Sequence, residues 1–150
     1  MAINLKQAIT FKSNTAIEVQ KKFFERNSAN IESFINDCVE MIQRGGKLLL
    51  FGNGGSAADC QHIAAEFVNK MHLIRKPLPA LALTTDSSII TSIGNDFGFE
   101  WIFSKQIEAI GKKEDIAIAI STSGNSPNVL HAINTCKKMG IKVVGFTGGS

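Results

Sequence analysis

The strongest constraint on how this chain folds comes from two short apolar runs. Each run is followed by a turn rich in glycine or serine and then by a helical pattern. Residues 47–51 lead into the glycine turn at 52–56, and residues 116–120 lead into a serine-rich turn. Continuous apolar runs of this kind are typical of parallel strands buried on both faces. Further strand patterns at 79–83 and 142–147 alternate with helices, which predicts an α/β fold with one parallel sheet.

Helical patterns fill the intervals between these strands. They are predicted at 57–70, 86–94, 99–110 and 127–139, and Ser126 followed by Pro127 is a well-formed start signal for the last one. Two more helices, 3–26 and 28–43, are expected before the first strand, with Asn27 or Ser28 as the cap of the second. We expect this helical pair to pack on a partner chain, because three phenylalanines look exposed: Phe11, Phe23 and Phe24.

Length and composition indicate one domain of 150 residues, in which 1–45 form the N-terminal helices and 46–150 an αβα sandwich. The net charge of +3 comes from 16 lysines and arginines against 13 acidic residues, and the lysines are scattered, which argues against a nucleic-acid surface. No run approaches membrane-spanning length, and the N-terminus does not resemble a signal peptide. Three cysteines without metal or disulfide spacing favour reduced thiols and a cytoplasmic location.

Both turns are candidate anion sites. A strand that turns directly into a helix points free backbone N–H groups and the positive end of the helix dipole at one place, and phosphate binds there. In open parallel sheets, ligands collect at the carboxyl ends of the strands, where both turns are predicted to lie. The simpler interpretations are a plain tight turn at 52–56 and a serine-rich turn that only caps its own helix. The second turn offers four hydroxyls, those of Ser121, Thr122, Ser123 and Ser126. Because a helix cap requires fewer, we predict that this turn binds phosphate.

His62 and Glu66 are four residues apart on the helix that follows the glycine turn, so they share one face. Such a pair can bind a divalent metal, or the glutamate can act as a base. The alternative is a solvated polar pair. The closeness of an anion turn favours the functional interpretation. Gly94-Asn95-Asp96, by contrast, is explained by spacing alone as a helix end and a turn.

Taken in order, these segments resemble the sedoheptulose 7-phosphate isomerases, or phosphoheptose isomerases, of the sugar isomerase (SIS) domain superfamily. The resemblance is carried by Gly52-Asn53-Gly54-Gly55-Ser56-Ala57-Ala58-Asp59, by Gln61-His62 with Ala64-Ala65-Glu66, by Ala82-Leu83-Thr84-Thr85-Asp86, by the block from Ile93 to Glu100, and by Ile120-Ser121-Thr122-Ser123-Gly124-Asn125-Ser126. It implies a flavodoxin-like parallel sheet and a homotetramer with the N-terminal helices in the intersubunit bundle.

The resemblance also implies an activity, the conversion of sedoheptulose 7-phosphate to D-glycero-D-manno-heptose 7-phosphate through an enediol, on the route to the heptose of bacterial lipopolysaccharide. Glu66 matches the catalytic base, and His62 with Glu66 matches two ligands of one zinc ion per site. The positions that match substrate-binding residues are Asn53, Gly54, Gly55, Ser56, Glu66, Asn95, Asp96, Ser121, Thr122, Ser123 and Ser126.

One part of the family pattern is missing. The family supplies a glutamine and a histidine, the latter a zinc ligand and second acid/base, from a segment that would follow Ser150. We therefore expect that a C-terminal strand and helix are absent from this sequence.

Two other classes of function remain open. The chain could be a non-catalytic sugar-phosphate-binding regulator or a replication-initiator-binding protein of the same superfamily, although Gly55, Glu66 and Ser123 are all present. It could also be an isomerase for another sugar phosphate or a lyase-like etherase. Dinucleotide binding is disfavoured, because no acidic residue stands where a ribose-binding one should follow.

Overall fold

The computed structural model describes residues 4–148, which fall into two compact units divided between Asp37 and Cys38. The first unit consists of most of one long helix. The second contains the end of that helix and all other elements. In chain order the elements are α1 (Leu5–Gln43), β1 (Leu48–Gly52), α2 (Gly55–Val68), β2 (Ala80–Ala82), α3 (Ser87–Asp96), a 3₁₀ turn (Phe99–Trp101), α4 (Ser104–Ile110), β3 (Ile116–Ser121), α5 (Pro127–Lys138) and β4 (Lys142–Thr147).

The N-terminal region is a single helix of 39 residues, so the prediction of two helices was wrong. Asn27 and Ser28 do not cap a second helix. Their side chains donate hydrogen bonds to the carbonyls of Phe23 and Phe24, one turn earlier, and the helix continues through them. Asparagine and serine can make such bonds within a helix as well as at its start, so their presence alone does not fix a boundary.

Four parallel strands form the sheet, in the order β2-β1-β3-β4, and the predicted α/β class is confirmed. Every residue of β1 and β3 is buried, as their apolar runs predicted. The bounds of the strands and of α2, α3 and α5 agree with the sequence patterns to within about two residues. Among residues 4–148, no helix is both long and apolar enough to cross a bilayer.

The predicted helix at 99–110 is interrupted. Residues Phe99–Trp101 form the 3₁₀ turn, and α4 begins only at Ser104, whose hydroxyl donates to the Trp101 carbonyl. Hydrophobic spacing at three and four residues fits both helix types over so short a stretch, so the pattern could not separate them.

The core lies between the sheet and helices α4 and α5, and it fixes the sheet edge from which both turns emerge. Phe51 of β1 packs on Phe103 with ring centroids 5.6 Å apart. At the opposite edge, the buried Asp115 carboxylate accepts hydrogen bonds from the Lys47 backbone N–H at 2.9 Å and from Lys47 Nζ at 2.7 Å. This ion pair ties the starts of β1 and β3 together, away from the turns.

Candidate active site

The glycine turn and the serine loop (residues 121–126) leave the same edge of the sheet. β1 and β3 are parallel neighbours, and Gly52 stands opposite Ile120 in their register. The backbone approach is so close at this point that a Cβ on Gly52 would lie 2.6 Å from the Ile120 carbonyl oxygen. Only glycine fits there without a shift of backbone. The predicted meeting of the two turns at one place is therefore confirmed.

A pair of asparagines joins the two turns directly. Asn53 of the glycine turn and Asn128 in the first turn of α5 exchange two hydrogen bonds, each 2.8 Å from Nδ2 to Oδ1. Asn128 is buried, whereas Asn53 is partly exposed. The sequence interpretation missed Asn128, because an asparagine just after Pro127 looks like an ordinary residue of a helix start. Only its partner, 75 positions away in sequence, reveals the role.

The serine loop has the geometry of an anion site. Ser126 occupies the N-cap position of α5, as predicted, but its side chain makes no capping hydrogen bond. Its hydroxyl oxygen lies 3.2 Å from that of Ser121 instead. Within residues 4–148, the backbone N–H groups of Ser123, Ser126 and Asn128 have no hydrogen-bond acceptor. Free amides at the start of a 12-residue helix form the arrangement that binds phosphate.

An open cleft of about 390 Å³ brings α2 to the side of this loop. Ser56 and His62 of α2 line it together with Thr122 of the serine loop. The histidine of the predicted metal pair and one residue of the predicted phosphate loop therefore line the same cleft. Glu66 lies one turn further along α2 and is not among the residues that line the cleft.

His62 and Glu66 do not form an ordinary hydrogen-bonded surface pair. The His62 Nε2 atom is 4.0 Å from Glu66 Oε1, beyond hydrogen-bond range, and the His62 side chain is 72% exposed. The Oε2 atom of Glu66 is buried and has no hydrogen-bond partner among the described residues. A buried carboxylate oxygen without a partner is costly, and such atoms occur where a ligand or an ion supplies the missing contact.

Arg75 fixes the backbone beneath Glu66. Its guanidinium donates to the carbonyl oxygens of Glu66 and Phe67, at 2.8 Å and 2.9 Å, and so caps the C-terminal end of α2. The sequence interpretation did not identify this residue. An arginine shortly after a helix end is a weak signal, and the intervening loop hides the contact.

Asn95 and Asp96 lie at the C-terminal end of α3. Their only side-chain hydrogen bond within residues 4–148 joins the two, from Asn95 Nδ2 to Asp96 Oδ1 at 2.8 Å. The described residues thus provide no hydrogen bond from this pair to either turn, and its role in substrate binding stays a prediction. Thr84, which precedes α3, is connected to α2, since Gln61 Nε2 donates to its hydroxyl at 3.2 Å.

Comparison with known proteins gives one family. A model of the SIS domain family matches residues 13–148. The phosphoheptose isomerase of Nitratidesulfovibrio vulgaris is 46% identical over 148 residues, which cover 99% of this chain and 71% of that protein. The phosphoheptose isomerase of Burkholderia pseudomallei strain 1710b is 49% identical over 145 residues, with 93% and 74% covered. The solved structure of a phosphoheptose isomerase from Francisella tularensis aligns with a TM-score of 0.92 at 34% identity, covering 99% and 79%.

Proposed function

We propose that this chain, which belongs to the SIS domain family and within it to the phosphoheptose isomerases, converts sedoheptulose 7-phosphate to D-glycero-D-manno-heptose 7-phosphate. The observation that carries the proposal is the buried Oε2 atom of Glu66, which has no hydrogen-bond partner among the residues that the structure describes and lies on the same helix face as His62. An aldose–ketose interchange needs a base that takes a proton from one sugar carbon and returns it to the next, and a carboxylate can do both.

In this reaction the serine loop holds the phosphate. The free N–H groups at the start of α5 and the hydroxyls of Ser121, Thr122, Ser123 and Ser126 bind its oxygens. Because the phosphate is far from the reacting carbons, its binding energy orients the substrate and is available to the transition state. Asn53, Gly54, Gly55 and Ser56 then contact the sugar, with Asn95 and Asp96 as further contacts.

Glu66 abstracts the proton that moves between the first two carbons. Its carboxylate is held on α2, whose start is fixed by the glycine turn and whose end is fixed by Arg75. Loss of this proton leaves an enediolate, whose negative charge on oxygen nearby donors stabilise before protonation gives the enediol. The second acid/base of the family pattern is not matched within residues 4–148.

We also propose zinc as the metal of this site. His62 and Glu66 fit two of its ligand positions, since the His62 Nε2 atom lies 4.0 Å from Glu66 Oε1, and the other carboxylate oxygen, Oε2, is buried without a hydrogen-bond partner among the described residues. No group of three histidine, cysteine or acidic side chains that could hold a metal exists among the described residues, so the remaining ligands would come from outside them. When bound, zinc would polarise the oxygens next to the reacting carbons.

The assembly and the biological setting belong to the same proposal. The N-terminal helix carries exposed apolar side chains, among them Phe11, Phe23 and Phe24, which suits the intersubunit bundle of a homotetramer. We place the enzyme in the cytoplasm, on the route to the heptose of lipopolysaccharide. The non-catalytic regulator is not favoured, because the carboxylate at Glu66 and the amides of the serine loop are both in place.

The test is an isomerase assay with sedoheptulose 7-phosphate on the longest natural chain that carries this sequence, with metal analysis of the same sample. We expect aldose formation and about one zinc per subunit, as the resemblance to the family implies for a single catalytic site. His62→Ala should lower the zinc content, which can be measured without any activity. Binding of the sugar phosphate without turnover by the natural chain would support the regulator instead.

A further inference from the structure

The hydrogen bonds between Asn53 and Asn128 have a defined direction. Asn128 Oδ1 accepts the Val129 backbone N–H at 2.9 Å as well as Asn53 Nδ2 at 2.8 Å. If the Asn128 amide were flipped, its NH₂ group would face the Val129 N–H, donor against donor. The first turn of α5 therefore fixes the orientation of the Asn128 amide, and this amide in turn fixes the orientation of Asn53.

The pair leaves part of Asn53 available to a ligand. An asparagine side chain has two N–H donors and an oxygen with two lone pairs. The contact with Asn128 uses one donor and one lone pair of Asn53. Asn128 is 2% exposed, whereas Asn53 is partly exposed at the glycine turn. One N–H and one lone pair of Asn53 thus remain for the sugar, and a buried partner sets their direction.

Asn128 also stands at the phosphate end of the site. Its backbone N–H is one of the amides at the start of α5 for which residues 4–148 provide no acceptor. One residue thus offers its main chain to the phosphate and its side chain to the glycine turn. Movement of α5 relative to β1 would disturb the phosphate amide and the Asn53 side chain together.

We propose that Asn128 is a positioning residue, which aims the Asn53 side chain at the sugar and keeps it in register with the phosphate held by the serine loop. This inference rests on the proposed isomerase function. The Asn128 side chain affects turnover by orienting Asn53. The contact of Asn128 with the phosphate uses only its main-chain atoms.

The experiment is a double-mutant cycle on the full natural chain with Asn53→Ala, Asn128→Ala and the double variant. Steady-state kinetics with sedoheptulose 7-phosphate, calorimetric binding of inorganic phosphate and thermal unfolding are measured for each. Asn134→Ala is the matched control, because Asn134 is an exposed asparagine on the same helix, and this variant should behave like the wild type.

We expect each single variant to lower kcat about tenfold, as the loss of one oriented hydrogen bond would. The double variant should be no worse than Asn53→Ala alone, since Asn128 acts through Asn53. The dissociation constant for inorganic phosphate should stay within about twofold in Asn128→Ala, because its backbone amide is kept.

A purely structural role would give a different result. In that case Asn128→Ala would lower the unfolding temperature, weaken phosphate binding and lower kcat. The losses in kcat of the two single variants would then add in the double variant. Additive losses in an active enzyme overturn this inference alone. A wild-type chain that does not isomerise the sugar overturns the proposed function, and this inference with it.

If Asn128→Ala does not fold, Asn128→Asp replaces it in the cycle. The aspartate still accepts from Val129 and Asn53 but cannot donate to Asn53 Oδ1. Its added charge weakens phosphate binding equally in both Asn53 backgrounds, so that effect cancels in the coupling energy. Additive losses here would again overturn the inference.

Discussion

The hydroxyl oxygens of Ser121 and Ser126 lie 3.2 Å apart across the serine loop, although Ser126 occupies the N-cap position of α5. The Ser126 side chain therefore does not serve its own helix. The start of α5 keeps amides that have no acceptor in the described part of the chain, and the two hydroxyls face each other beside them. A serine at this position could both cap the helix and bind a ligand. Here the Ser126 side chain makes no capping hydrogen bond, so it is left for ligand binding.

Ser126→Ala should consequently impair substrate binding more than folding. Loss of a hydroxyl that bonds a charged phosphate raises KM by about tenfold or more, while the unfolding temperature should stay within about a degree, because no cap is lost. Asp86→Ala is the control, since Asp86 caps α3 through the Ile89 N–H at 2.9 Å. That change should lower the unfolding temperature by a few degrees. A larger stability loss in Ser126→Ala than in Asp86→Ala would contradict this account.

Glu66→Gln should abolish proton transfer and leave the sugar-phosphate site intact. Glutamine has nearly the same shape but cannot take the proton, so kcat should fall by about 10²-fold to 10⁴-fold. Calorimetry should show retained binding of sedoheptulose 7-phosphate through the serine loop. Glu108→Gln on α4, where the carboxylate pairs with Lys105 on the exposed surface, is the control and should leave kcat unchanged. Isomerisation at the wild-type rate in Glu66→Gln would exclude Glu66 as the base.

Gly52 and Gly55 should respond oppositely to the same added methyl group. A Cβ on Gly52 would meet the Ile120 carbonyl at 2.6 Å, whereas a Cβ on Gly55 meets nothing within 4 Å. Gly52→Ala should lower the unfolding temperature. Gly55→Ala, at a position without positive φ, should leave it unchanged or raise it slightly.

Because Gly55→Ala is not expected to lower stability, its effect on activity reports only the contact between the glycine turn and the substrate. A raised KM with unchanged unfolding temperature would support that contact. An unchanged KM would argue that the glycine turn does not touch the sugar at this position.

The buried thiols should make stability fall at high pH. Burial, with a smaller contribution from the Asp59 charge, raises the pKa of Cys60 from 9.0 to about 12. Burial likewise raises the pKa of Cys136 from 9.0 to about 11. At a pH between 9.0 and these raised pKa values, the two thiols lose their protons in the unfolded chain and keep them in the folded chain. The free energy of unfolding therefore decreases as pH rises from about 9 towards 12.

Denaturation curves across this pH range test the sign of the thiol effect. Cys60→Ala should reduce the pH dependence relative to the wild type, since it removes one of the shifted groups. A steeper decrease in this variant would contradict the expectation. A thiol reagent at pH 8 should react with the unfolded chain and not with Cys60 or Cys136 in the folded one.

Several elements followed from the sequence because their signals are local. The apolar runs of β1 and β3 predicted strands buried on both faces, and Ser126-Pro127 predicted the start of α5. The alternation of strands and helices then predicted a parallel sheet, whose connections bring successive strand ends to one edge. The break expected at Asn27 was wrong, because the same polar residue can cap a helix or bond back within it.

The sequence by itself determined the order of the elements, the two turns and the spacing of His62 and Glu66, because each depends on neighbours within a few positions of the chain. Only the tertiary structure decided which groups find no partner among residues 4–148: the buried Glu66 Oε2 and the amides at the start of α5. It alone paired Asn53 with Asn128, 75 positions apart. Hydrogen-bond satisfaction depends on every atom packed around a group, and residues distant in sequence supply most of those atoms.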